Sequence, residues 1–200
     1  MRFNLGLHLL RWLVPAAAAL LASPAFAHVD ASHGFGFGAG LAHPMLGADH
    51  LLALLATGIW VVQQQGRMRF MLPALFVLAI GAGTIAGQSG LALPALEMGL
   101  AMSVTITGLL SVFLLRLPLL PAGLLLSLSG LLHGFVHGLE MPAAAQFPSF
   151  AAGLVLSSAC LLVLGVVLGS WIQQLVGRNG LRTAGAGVAV FGAGLLLNLI

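Results

Sequence analysis

Histidines and carboxylates are few in this chain, and most of them fall in two short runs. The first run is His43-Pro44-Met45-Leu46-Gly47-Ala48-Asp49-His50. The second is Leu132-His133-Gly134-Phe135-Val136-His137-Gly138-Leu139-Glu140. His133, His137 and Glu140 are spaced i, i+4, i+7, which places them on one helix face at about 100° per residue. Imidazole nitrogen and carboxylate oxygen suit borderline divalent ions such as Ni²⁺, Co²⁺ and Zn²⁺. Two histidines four apart on a helix can point at one ion, and carboxylates neutralise its charge or orient the imidazoles. The metal candidates are therefore His43, Asp49, His50, His133, His137 and Glu140. Glu97, with Met98 and Met102 nearby, is a further candidate: a ligand, a proton-coupling group or a neutral hydrogen-bonded acid. Each has a plainer alternative. His133 and His137 could be a packed, hydrogen-bonded pair, Asp49 and His50 an ion pair that fixes helix packing, and His43 a helix cap. His28 and His33 lie in an exposed N-terminal segment, where a solvated histidine or a weak metal-capturing one is expected.

The surroundings of these residues are apolar. The chain of 200 residues is 60% hydrophobic, has a mean hydropathy of +1.12 and is only 6% charged. Soluble domains carry about 25% charged residues, so most of this surface is expected to face lipid, in one compact membrane domain. The formal charge of +3 comes from dispersed arginines and makes no nucleic-acid patch. The single cysteine, Cys160, excludes an intrachain disulfide and a thiolate metal cage. The chain has no phosphate-cradling G-x-x-x-x-G-K-[ST] loop and no lysine, which argues against ATP-driven pumping by this chain.

Residues 1–27 read as a secretory signal peptide. Arg2 and Arg11 give the positive region, Trp12–Ala22 the apolar core and Ala25-Phe26-Ala27 the cleavage site. An uncleaved anchor helix is the alternative. Residues 28–200 then form an all-α bundle of six membrane-spanning helices. The expected spans are about Pro44–Val62, Phe70–Gln88, Leu91–Leu115, Leu119–Glu140, Phe150–Ile172 and Leu181–Ile200. With the mature N-terminus outside, Arg67, Arg69, Arg116, Arg178 and Arg182 all fall in cytoplasmic connections. The outer connections carry no arginine, as the positive-inside rule requires. The same topology puts every metal candidate in the outer half of the bilayer and both mature termini in the periplasm. Gly83-x3-Gly87 and Gly165-x3-Gly169 are expected to let helices pack closely.

The two runs resemble the marks of the HupE/UreJ family: H-x5-D-H in the first span and F-H-G-x-[A/V]-H-G-x-E in the fourth. His43, Asp49 and His50 match the first. His133, Gly134, Val136, His137, Gly138 and Glu140 match the second, with Leu132 in place of the leading aromatic. Glu97, in the run Glu-Met-Gly-Leu-Ala-Met-Ser, also looks like a family position. The resemblance covers essentially the whole mature chain. It implies an inner-membrane permease that takes up nickel or cobalt for metalloenzyme maturation, handled by the motif histidines and carboxylates. On this reading the partners are a divalent ion and the lipid bilayer, and no cofactor is permanently bound. A homo-oligomer is compatible with the sequence and not required by it.

Three alternatives come from other classes. A metal-binding or metal-sensing accessory subunit would hold the ion without moving it. A bis-histidine haem electron carrier would need histidines facing each other across helices. An intramembrane metalloprotease would need a glutamate after the first histidine, where Gly134 stands.

Overall fold

The computed structural model describes residues 36–197. The expected signal segment 1–27, His28, His33 and residues 198–200 lie outside the described residues. Among the described residues the chain is all-helical and has no strand. Its elements are α1 (Phe37–Ala42), a 3-10 turn (His43–Met45), α2 (Ala48–Val61), α3 (Met68–Gly87), α4 (Leu96–Val112), α5 (Leu119–Leu139), α6 (Phe147–Leu175) and α7 (Arg178–Leu196).

The first expected span is not one helix. The short α1 and its 3-10 turn run at 80° to α2. Gly47 takes an extended conformation, φ −104° and ψ 124°, and starts α2 anew. Gly38 and Gly40 lie in α1, which docks on α6 because Gly40 admits the backbone of Phe150. The third expected span also shortens at both ends, from Leu91–Leu115 to Leu96–Val112. Pro94 disfavours helix in the residue before it. Ala95 and Leu114 hold left-handed backbone, φ 58° and 53°, at the two ends.

Three helices, α3, α5 and α6, are long and apolar enough to cross a membrane. The bent pair of α1 with its turn and α2 passes the same test together. The apolar α4 has 17 residues, about 26 Å at 1.5 Å per residue. The start of α7 carries Arg178, Asn179, Arg182 and Thr183, which lower its hydropathy. Many outward-facing side chains are large and apolar, among them Phe70, Leu78, Leu120, Leu124 and Val190. Apolar cover of this extent is what lipid, not water, solvates.

Three helix pairs dominate the packing: α3 with α5, α4 with α7 and α2 with α6. Small residues make the first of these so close. A Cβ on Gly83 or Gly87 would collide with the carbonyls of Leu131 and Phe135. A Cβ on Gly134 or Gly138 would collide with those of Ile80 and Thr84. Both expected Gly-x3-Gly pairs therefore sit at helix contacts, Gly165 against Leu55 and Gly169 against Ile59. Trp60, Leu72, Phe76, Ile80, Leu126, Phe150 and Leu154 fill the core between the pairs.

The two ends of the bundle differ in chemistry. At one end Trp60 Nε1 and Gln64 Nε2 donate to the Leu115 carbonyl at 3.0 and 3.4 Å. Arg69 donates to the carbonyls of Gln64 and Val62 at 2.9 and 2.8 Å, pairing groups that the end of α2 leaves free. These bonds join the connections that carry Arg67, Arg69 and Arg116. At the opposite end Gln88 Nε2 donates to the Gly138 carbonyl at 2.7 Å. The histidines lie at this second end.

Candidate metal centre

Four elements deliver the ionisable side chains. His43 opens the 3-10 turn, and Asp49 and His50 stand in the first turn of α2. His133 and His137 occupy successive turns near the end of α5, and Glu140 is its C-terminal cap. Glu97 stands in the first turn of α4. The helix break is what brings His43 into the group, because it turns the chain back over the end of α5. Gly47 is also fitted to the site: a Cβ there would lie 2.8 Å from both Asp49 Oδ1 and His50 Nδ1. Gly134 and Gly138 follow the two histidines of α5 and face α3, so the motif packs through its glycines and presents its imidazoles on another face.

The four imidazoles form one contiguous cluster. Ring centroids are 4.8 Å apart for His43 and His137, 4.3 Å for His50 and His137, and 5.2 Å for His50 and His133. His133 and His137 are each 2% exposed and His50 is 7% exposed. The rings touch one another directly, with no slot of porphyrin thickness between them. A cavity of about 720 Å³ opens onto the cluster and is lined by His43, Asp49, His50, Glu97, His137 and Glu140.

The polar atoms of the cluster are only partly used. His50 Nδ1 lies 2.8 Å from Asp49 Oδ1. An ionised carboxylate only accepts, so Nδ1 donates and Nε2 is left with its lone pair. This carboxylate–imidazole arrangement orients metal-binding histidines in general. His43 Nε2 lies 3.4 Å from Glu140 Oε2, longer than a well-formed hydrogen bond. His43 Nε2, His50 Nε2, His133 Nδ1 and His137 Nδ1 are all buried without a hydrogen-bond partner. Each such orphan costs about 1–3 kcal/mol, so four together call for an occupant. A divalent cation fits: nitrogen ligands at about 2.0–2.1 Å place neighbouring donors about 3 Å apart. The ligand atoms of His43, His137 and Glu140 already lie within 4.8 Å of one another.

The grouping differs from the order of the motifs. His43, from the first run, joins His137 and Glu140 at the mouth. His50, from the same run, sits deeper against His133 and His137. Glu97 is exposed at the rim of the cavity and stands outside the three-residue cluster. Ser103 of α4 was missed by the sequence reading: its hydroxyl lies 3.0 Å from His133 Nε2. A serine in an apolar helix is a weak signal, since it can satisfy itself on its own backbone.

An apolar-surfaced helical bundle with a buried histidine–carboxylate cavity at one end defines a membrane-type protein. The family described as HupE / UreJ protein matches residues 16–195. Protein HupE of Rhizobium leguminosarum bv. viciae is 36% identical over 185 residues, 92% of this chain and 97% of that protein. The chain belongs to the HupE/UreJ family. No solved structure matches it at a significant level.

Proposed function

We propose that this protein is an inner-membrane permease that takes up divalent nickel or cobalt for metalloenzyme maturation. One observation carries the reading: four buried imidazole nitrogens without partners, three of them on residues that line a cavity beside carboxylates and the fourth on His133 packed against His50, at the end of the bundle away from Arg67, Arg69 and Arg116. Family membership supports the metal class, and the arginine distribution supports a cavity open to the periplasm. The proposed topology is a cleaved signal peptide followed by six spans, with the bent pair as the first and the shorter α4 and α7 completing the count.

In this mechanism the hydrated ion enters the cavity past Glu97 and exchanges water for Glu140, His43 and His137 at the mouth. It then passes inward to His50 and His133, with Asp49 holding the His50 ring. Two adjoining ligand groups that share His137 allow hand-over without full release of the ion. An inside-negative potential favours entry by about 2.3 kcal/mol per charge per 100 mV. Each ligand group must bind moderately, because a tight site would trap the cargo.

Protons compete with the ion for imidazole. A protonated ring cannot ligate, so uptake should fall as the external pH is lowered. The test is accumulation of labelled Ni²⁺ and Co²⁺ at pH 5.5, 6.5 and 7.5, in cells expressing the protein and in cells carrying an empty vector. Accumulation no greater than in the vector control at every pH would overturn the permease, and binding by the purified protein without flux would assign it an accessory role.

A further inference from the structure

We propose that Ser103 is a positioning residue that fixes the tautomer of His133 and thereby selects Nδ1 as the nitrogen offered to the divalent cation. The inference rests on the metal-handling reading of the cavity and extends it to a residue on a helix that neither histidine motif includes.

The direction of two hydrogen bonds carries it. Ser103 Oγ lies 2.7 Å from the Leu100 carbonyl and 3.0 Å from His133 Nε2. A hydroxyl has one proton, and a carbonyl oxygen can only accept. The Ser103 proton is therefore committed to Leu100, and the hydroxyl meets His133 through a lone pair. His133 Nε2 must then be the N–H donor, which leaves Nδ1 unprotonated. That Nδ1 is one of the four buried nitrogens without a partner.

His50 has the opposite arrangement. Its Nδ1 donates to Asp49 and its Nε2 is free. Two adjacent rings in T-shaped contact thus offer different nitrogens, one held by a carboxylate and the other by a neutral hydroxyl. A hydroxyl adds no negative charge at depth, so His133 is oriented without the extra ion affinity that a second carboxylate would bring. That suits a station the cargo must leave.

The position is well supported by its helix. Ser103 is buried, and Thr107 one turn on donates to the Ser103 carbonyl at 2.8 Å. Thr105 and Thr107 both place their hydroxyls on the carbonyl four residues back. Threonine at 103 keeps a hydroxyl that can donate to its own helix and accept from His133, whereas alanine removes the acceptor.

The test uses the full-length protein purified in detergent, with ¹⁵N-labelled histidine and the His133 signals identified by their loss in His133→Gln. In metal-free wild type at pH 8, Nε2 of His133 should give the protonated-nitrogen shift and Nδ1 the lone-pair shift. Ser103→Ala should mix the tautomers and lower Co²⁺ affinity by about 10- to 100-fold, the usual effect of losing a partner that orients a ligand. Ser103→Thr should restore both. Protonation of His133 at Nδ1 in wild type would overturn the proposal. So would a tautomer or a Co²⁺ affinity unchanged in Ser103→Ala. The tautomer measurement needs no metal, so it judges Ser103 separately. Failure of wild type to bind Co²⁺ would instead overturn the reading of the cavity.

Discussion

Replacing His137 with alanine should reduce Ni²⁺ and Co²⁺ uptake to the background of vector-only cells, a loss of at least about 100-fold. The estimate is a lower limit, because losing only a ligand's outer partner already costs about 10- to 100-fold. His137 is the shared member of the cluster. Its ring lies 4.8 Å from that of His43 and 4.3 Å from that of His50. Its removal breaks the mouth site and the deeper site together. His133→Ala should be comparably severe, since that ring is the deep partner of His50. His137 lines the cavity and His133 packs against His50 behind it, so their loss leaves space next to the cavity that water can fill, and the variants should elute as folded protein in detergent. Labelled-metal uptake normalised to membrane protein level is the measurement. Uptake that survives in both variants would overturn the transport assignment.

Gly134→Ala should have a large effect on the fold. Its added Cβ would collide with the Ile80 carbonyl and approach the Ile80 Cα at 2.9 Å. These are backbone atoms and cannot step aside as a side-chain tip would. Overpacking of this kind costs about 1–3 kcal/mol and more where the backbone must move. The most extensively packed helix pair of the bundle, α3 with α5, has to separate to accept it. Gly187→Ala is the control. Nothing lies within 4 Å of a Cβ there, and in an exposed helix interior alanine is favoured over glycine by about 0.5–1 kcal/mol. Thermal unfolding in detergent should show a lower transition, or no folded material, for Gly134→Ala and an unchanged or higher one for Gly187→Ala. Equal stability of the two variants would contradict the packing described.

The sequence made the helices legible because an apolar run in lipid has one way to pair its backbone. Five of the six expected segments overlap α3 to α7, three of which are long and apolar enough to cross a membrane, and the described residues are all-helical as expected. The first segment failed for a local reason. Gly47 and the glycines around Gly40 allow a bend and a close docking that hydropathy does not register. The site residues were legible as types and spacings: His133 and His137 share a face because i and i+4 must. How the two motifs interleave was not legible. In the sequence His43 groups with Asp49 and His50 as a metal candidate, yet the 80° bend carries it to His137 and Glu140. The role of Ser103 depends on which way one hydroxyl proton points, and that is set by tertiary distances no spacing contains.

One divalent ion is expected among these imidazoles. Nickel K-edge X-ray absorption on the purified full-length protein, loaded with less than one equivalent of Ni²⁺, reads its ligands. The spectrum should show imidazole scattering from at least two histidines together with oxygen donors, lost in a His133→Ala, His137→Ala double variant. A spectrum of the hydrated ion, or imidazole scattering unchanged in the double variant, would contradict that expectation.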